Sequence, residues 1–283
     1  MRRGSVSERG FDRPIPPVLL VGGGKMGAAL LAGWRDRGLA PSVVVDPGPA
    51  AAGLAAPGIT VVGGPEDIPP GFSPAALVLA VKPQMAAAVL PAYRPWAATA
   101  VTLSIMAGRT LEGLQAALDS EVVVRAMPNT PAAVRQGFTV ACAAPGVEPA
   151  ARALCDRLLS AVGAVAWVAG EAALDPVTAI SGGGPAYVFL LAELLERAGL
   201  EQGLPADLAR AMARHTISGA GALLAASEED AASLRRNVTS PGGTTEQALR
   251  VLMDEAAWPR LVREAIAAAT ERSRVLAGPV RAG

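Results

Sequence analysis

Two glycine-containing stretches hold the residues whose types and spacing can do chemistry. The first is VGGGKMG, residues 21–27, which follows the apolar run Val18–Val21 and sets Gly22, Gly24 and Gly27 in GxGxxG register, with Lys25 and Met26 between the last two glycines. In that register the first glycine permits a tight turn and the second lets a pyrophosphate approach the backbone. The third lets the following helix pack on the strand. Asp46 stands 19 residues after Gly27 at the end of a second apolar run, where a carboxylate can accept hydrogen bonds from an adenosine ribose. Strand before, helix after and acid at this distance point to a dinucleotide site.

The second stretch is NVTSPGGTT, residues 237–245, followed by the helix-like EQALRVLMDEA. Pro241 and the glycines break any preceding helix, and the unpaired first-turn amides of the next one form a place for a carboxylate or phosphate. Thr244 or Thr245 as an N-cap explains one hydroxyl. The double glycine is expected to allow close backbone approach to a small anion, with Gly243 nearest it.

The elements that must position these residues are legible as alternating patterns. β-like runs occur at Val18–Val21, Val43–Val45, Leu77–Val81, Val101–Ile105 and Val122–Arg125, with short strands expected near Thr139 and Val165. They are continuously apolar, as strands covered by helices on both faces must be. A helical stripe at Met26, Leu30, Gly33 and Trp34 follows the first run. The pattern predicts an α/β fold with a Rossmann-like, doubly wound parallel sheet. Three further loops then fall on the ligand-binding edge: LAVKP (79–83), SIMAG (104–108) and MPNTP (127–131), the last offering Asn129 and Thr130 as polar contributors to a nicotinamide pocket.

After Trp167 the strand signals stop, and an all-helical, dimerising domain is expected. The boundaries read as a disordered leader over residues 1–17, a dinucleotide domain over 18–170 and a helical domain over 171–283. SGGGPAY, residues 181–187, does not follow a strand and lacks the Lys-Ser/Thr ending of a P-loop, so it reads as a helix start. The helix it opens is apolar on every side, so it must be buried within its own domain or against a partner subunit, and the apolar excess of this half predicts an obligate dimer. Leu208, Met212, His215, Gly219 and Leu223 form a second stripe, with His215 expected as a core histidine.

Composition excludes several classes. Lys plus Arg and Asp plus Glu both number 25, so no basic field argues for nucleic acid. No run reaches the ~18 consecutive apolar residues of a membrane span, and the first residues lack the apolar core of a secretion signal. Cys142 and Cys155 are the only cysteines, too few for a disulfide framework or a four-thiolate metal site, and a cytoplasmic setting fits. No metal is expected.

VGGGKMG, LAVKP, MPNTP, SGGGPAY and NVTSPGGTT, in this order and spacing, resemble the pyrroline-5-carboxylate reductase family of proline biosynthesis, from Val18 to about Leu276. The resemblance implies reduction of a cyclic imine carboxylate by NADH or NADPH in a homodimer interlocked through the helical domain, often within a ring of dimers. It implies that Gly22–Gly27, Val81, Lys82, Pro83 and Ile105, Met106 and Ala107 contact the cofactor. Asn237, Thr244 and Thr245 would contact substrate, with Glu171 a neighbour from the domain junction and Thr245 as proton donor or orienting group. Two departures stand out: Gly183 replaces the inner serine of the common SGSGPAY, and Asp46 occupies a position where members using NADPH usually carry a small hydroxyl or basic residue. Asp46 therefore predicts a preference for NADH.

Two rivals remain at this point. A β-hydroxyacid dehydrogenase of similar build depends on a lysine in its helical domain, whereas the two lysines here are Lys25 and Lys82. A non-catalytic nucleotide-sensing dimer would have no use for a second anion site.

Overall fold

The computed structural model describes residues 14–278. The chain divides into two compact units, one formed by residues up to Gly182 together with Thr270 onward, the other by Gly183–Ala269.

The first unit is built on an eight-stranded sheet of order β3-β2-β1-β4-β5-β6-β7-β8. β1 (Val18–Val21) leads through the glycine turn into α1 (Lys25–Asp36), and β2 (Ser42–Val45) and β3 (Ile59–Val62) complete one wing. β4 (Ala76–Leu79) is followed by the short helices α2 (Ala86–Val89) and α3 (Arg94–Ala97), and β5 (Val101–Ser104) by α4 (Leu111–Leu118). β6 (Val123–Met127) and β7 (Gly137–Ala143) precede α5 (Pro149–Ser160) and β8 (Gly163–Trp167). Strands β1 to β6 are mutually parallel, and so are β7 and β8, but β7 runs antiparallel to β6. The sheet is thus mostly parallel. Only residues 128–136 separate β6 from β7, and a parallel neighbour needs a crossover of a dozen or more residues.

Both faces of the sheet are covered, as its apolar runs require. Along β1, Val18 and Leu20 enter one cluster with Leu30, Trp34 and Leu158. Leu19 and Val21 enter the other with Leu90, Tyr93 and Leu114. Trp34 is fully buried and its indole N–H donates to the Leu158 carbonyl at 2.8 Å, joining α1 to α5. Residues 14–17, expected in the leader, belong to this fold instead. Ile15 is buried, its carbonyl accepts the Ala40 N–H at 2.8 Å, and the Pro17 carbonyl accepts the Ala75 N–H at 2.8 Å. The rest of the expected leader, residues 1–13, lies outside the described residues.

Both cysteines are free and buried. Burial, with Asp156 adding to it, pushes the Cys155 thiol up to about 12, which keeps it an inert packing group.

After β8, α6 (Leu174–Val177) continues through a π-helical turn at Thr178–Gly182 into α7 (Gly184–Glu201). The glycine triplet does start α7, with Pro185 in its first turn, yet the path from Glu171 to Glu201 is one helical stretch. By length and composition that stretch is apolar enough to cross a membrane, which the short run Pro185–Ala192 did not announce.

In the second unit α8 (Ala206–Ala226) lies close to α7, since a Cβ on Gly199 would sit 3.2 Å from the Ala209 Cβ. Ala209 and Ala213 are the buried residues of α8. Within this chain the stripe Leu208, Met212 and Leu223 is exposed, and so is His215, contrary to its expected place in a core. Phe189, Leu190, Leu224, Val251, Leu261 and Val262 are exposed as well. A chain that leaves this much apolar surface uncovered on one set of helices is built for association. α9 (Ala231–Asn237), α10 (Thr244–Leu252) and α11 (Trp258–Ala277) complete the chain, with α11 reaching into the first unit's residues at Thr270.

Candidate functional site

β1, β2, β4, β5 and β6 are parallel, so the turns that follow them share one edge of the sheet. Gly22 turns the chain there with φ of +100°, and a Cβ on it would lie 2.7 Å from the Ala80 carbonyl carbon. Any side chain on Gly27 would start 2.1 Å from the Gly22 carbonyl oxygen, so α1 can seat against the turn only without one. Gly24 differs from both. A Cβ there would meet nothing within 4 Å, and Gly24 is the N-cap of α1 with no side chain bonded to the first-turn amides. The open side of Gly24 is therefore where a ligand's anion can reach the helix start.

Asp46 borders the same space. Its Oδ2 accepts the Gly23 N–H at 2.6 Å and its Oδ1 accepts the Gly48 N–H at 2.7 Å. The carboxylate thus locks the glycine turn to the turn after β2, while each oxygen retains a lone pair for a ribose hydroxyl. A cleft of about 500 Å³ runs from here, lined by Gly22, Gly24, Asp46, Val81, Lys82 and Tyr93 among others. Met85, Ala88 and Val89 give it an apolar wall beyond the turn. Burial, with Glu66 adding to it, pushes the Tyr93 phenol up to about 12, so that wall carries no anion from it. An open helix start, a carboxylate with free lone pairs, one lysine and an apolar wall fit a nicotinamide dinucleotide.

The structure gathers Gly22, Gly24, Asp46, Val81 and Lys82 on this cleft. Lys25, Met26 and Gly27 open the adjoining helix, and Pro83, which begins the 3-10 turn Pro83–Met85, lies between the lining residues Lys82 and Met85. Ile105, Met106 and Ala107 lie one strand over, where the Ile105 N–H donates to the Leu79 carbonyl at 3.0 Å. The Met106 side chain is buried in the apolar cluster, leaving only its main chain toward the edge.

Asn129 is already engaged. Its Oδ1 accepts the Phe138 N–H at 2.9 Å and its Nδ2 donates to the Ser181 hydroxyl at 3.2 Å. Glu171 is engaged too: its Oε1 takes the buried Arg125 guanidinium and the Leu111 N–H at the start of α4. Two residues went unread in the sequence. The wall residue Tyr93 was hidden in the unremarkable run PQMAAAVLPAY, and Arg109 beside SIMAG carries no motif signal.

The second stretch lies in the unit Gly183–Ala269. Asn237 Nδ2 donates to Glu229 at 2.9 Å. Gly242 has φ of +73°, and its N–H donates to Glu246 at 2.8 Å. A Cβ on Gly243 would sit 3.0 Å from the Ser240 carbonyl oxygen. The turn's own geometry therefore favours glycine at 242 and leaves little room for a side chain at 243, a demand that stands beside the close backbone approach expected of the pair. The N-cap of α10 is Gly243 and no side chain caps it, so neither Thr244 nor Thr245 serves as the cap. Both threonines occupy the first turn of α10 with their side chains exposed.

Among the described residues no group of three or more His, Cys, Asp or Glu side chains is placed to hold a metal ion.

Comparison with known proteins places this geometry. Residues 171–276 match the family model for pyrroline-5-carboxylate reductase dimerisation. The pyrroline-5-carboxylate reductase of Pseudomonas aeruginosa is 37% identical over 269 residues, which cover 93% of this chain and 97% of that protein. The solved pyrroline-5-carboxylate reductase of Coxiella burnetii superposes with a TM-score of 0.85 at 30% identity, covering 94% of this chain and 100% of that one. Plasmodium falciparum pyrroline carboxylate reductase with NADP bound superposes with a TM-score of 0.78 at 28% identity, covering 93% and 100%. Identity over almost the full length of both sequences, on the fold and glycine cleft described above, shows that the chain belongs to the pyrroline-5-carboxylate reductase family.

Proposed function

We propose that the glycine cleft and the start of α10 hold the two reactants of the family's reaction. As a member of that family the chain is an NAD(P)H-dependent oxidoreductase that reduces 1-pyrroline-5-carboxylate to L-proline. The observation that carries the cofactor half is Gly24, open on its outer side at an uncapped helix start and flanked by Asp46 and Lys82. The reduced nicotinamide, when bound, supplies the hydride.

The chain's own residues then have little chemistry left to do, because a protonated cyclic C=N accepts hydride once it is positioned. The amides of Thr244 and Thr245 at the start of α10 grip the substrate carboxylate, since the Gly243 N–H already donates to the Ser240 carbonyl, and Asn237 contacts the substrate beside them. The Thr245 hydroxyl hydrogen-bonds the ring nitrogen as that nitrogen becomes an amine. Main-chain groups of Ile105–Ala107 and the Asn129 amide border the nicotinamide. Glu171 reaches substrate only through the elements that it ties together. A lysine-dependent alcohol dehydrogenation finds no lysine anywhere in residues 171–283.

The helical part, residues 171–283, joins two copies of the chain, and 18–170 binds the dinucleotide. The matched dimerisation model and the exposed apolar residues of α7 and α8 support this division. The apolar surface of Glu171–Glu201 faces the second copy rather than lipid, and the assembly works in the cytoplasm, where its two thiols stay reduced. Association of dimers into a ring extends the same surface.

Asp46 favours NADH. Its negative charge repels a 2′-phosphate and its free lone pairs accept a ribose 2′-hydroxyl. The expected result is a higher kcat/KM with NADH than with NADPH, and an Asp46→Ser variant that narrows or reverses the ratio. A large NADPH advantage in the unmodified enzyme defeats this assignment.

A further inference from the structure

The loop after β4 presents Val81 and Lys82 to the cleft, and it has few anchors of its own. Pro83 brings no N–H and a fixed φ. Downstream, the Lys82 carbonyl accepts the Met85 N–H at 3.0 Å, and the Pro83 carbonyl accepts from Ala86 as the 3-10 turn closes. One side chain from elsewhere meets this carbonyl. Arg109, 26 residues later, donates to the Pro83 carbonyl oxygen from Nε at 3.0 Å and from Nη2. Arg109 sits on the turn after β5, immediately beyond Ile105–Ala107 and next to Gly108, whose φ is +66°.

That turn is itself firmly backed. A Cβ on Gly108 would lie 3.1 Å from both the Cβ and the carbonyl oxygen of Leu276. At its far end Thr110 caps α4 by accepting the Gly113 N–H at 3.1 Å, and Glu171 takes the Leu111 N–H at 2.6 Å. A guanidinium fork on one carbonyl thus joins a well-supported turn to a sparsely supported one. Because the donor is charged, the bond is stronger than an ordinary main-chain contact, and a lysine cannot reproduce its two-pronged geometry.

We infer that Arg109 is a positioning residue for cofactor binding, holding Val81 and Lys82 against the cleft through the Pro83 carbonyl. The inference rests on the reading of that cleft as the dinucleotide site. With its guanidinium engaged on the Pro83 carbonyl, Arg109 acts on the cofactor through that loop, so its loss weakens cofactor binding and leaves the imine step alone.

The test compares Arg109→Ala, Arg109→Lys and Gly24→Asp in the full-length enzyme, measuring NADH Kd by fluorescence, both KM values, kcat and Tm. Arg109→Ala should raise the cofactor Kd and KM about tenfold, the scale of one lost charged hydrogen bond, with kcat and imine KM within about twofold and Tm little changed. Arg109→Lys, retaining one prong, should recover part of the affinity. An unchanged cofactor Kd in Arg109→Ala, while Gly24→Asp abolishes binding, overturns the inference and leaves the cleft reading standing. Equal losses in cofactor Kd, imine KM, kcat and Tm, with no recovery in the lysine variant, overturn it as well. Unchanged binding in Gly24→Asp removes the cleft reading, and the inference falls with it.

Discussion

Gly24→Asp is expected to abolish cofactor binding without harming the fold. A Cβ at this position meets nothing within 4 Å. The φ of −63° and ψ of −175° suit any residue, and the position is the N-cap of α1, where no side chain now caps. Aspartate is a favoured N-cap, and exchange with glycine there changes stability by only about a few tenths of a kcal/mol. The same carboxylate would stand where a diphosphate approaches the helix start. Two like charges about 4 Å apart at an effective dielectric of about 20 cost roughly 4 kcal/mol. Cofactor affinity should therefore fall by at least about a hundredfold, read by fluorescence titration with NADH, while Tm holds or rises. Wild-type affinity in a folded Gly24→Asp protein would mean that the dinucleotide lies elsewhere.

Thr245→Ala is expected to give the opposite split. Thr245 is exposed in the first turn of α10, and its hydroxyl makes no capping bond. Alanine there is a better helix former than threonine, so stability should not suffer. Loss of one preorganised donor at a reacting atom typically costs about 10²–10³ in kcat. The imine kcat/KM should drop by about that factor while NADH Kd stays at its wild-type value. Steady-state kinetics with varied imine, beside cofactor titration, reads both quantities. A variant as active as the wild type would remove Thr245 from the mechanism.

The legible parts of the sequence were those in which a single physical demand acts alone. VGGGKMG was readable because three different constraints fall on three glycines: a positive φ at Gly22, an open lip at Gly24 and a carbonyl in the way at Gly27. Most strands were readable because a sheet covered on both faces needs unbroken apolar runs. β3 was missed for the converse reason: Ile59–Val62 is an edge strand of four residues with exposed Thr60, set among glycines and prolines. The reversed β7 was available in principle, since residues 128–136 are too few for a parallel crossover.

In the helical half, α8 buries Ala209 and Ala213 and leaves Leu208, Met212 and His215 exposed, so His215 is no core residue of the chain by itself, while the surplus of apolar surface is what a dimerising domain requires. Periodicity reveals which face of a helix must be covered, but not whether the cover comes from the same chain. The paired glycines of NVTSPGGTT also answer to the turn itself, through the positive φ of Gly242 and the crowding of Gly243 by the Ser240 carbonyl, which the sequence alone does not show. What singles out that stretch is the uncapped start of α10 beside two unengaged threonines. Asn129 and Glu171 show the remaining limit. Asn129 is expected in a nicotinamide pocket and Glu171 beside the substrate, but their partners Ser181, Phe138, Arg125 and Leu111, up to 60 residues away in sequence, are visible only in the fold.

The most direct measurement is product stoichiometry: purified enzyme, NADH and 1-pyrroline-5-carboxylate, with NADH consumption followed optically and L-proline quantified in the same samples. One proline formed for each NADH oxidised is the expected result. Cofactor binding with no proline formed from either NADH or NADPH would contradict the assignment of these two loops to one reaction.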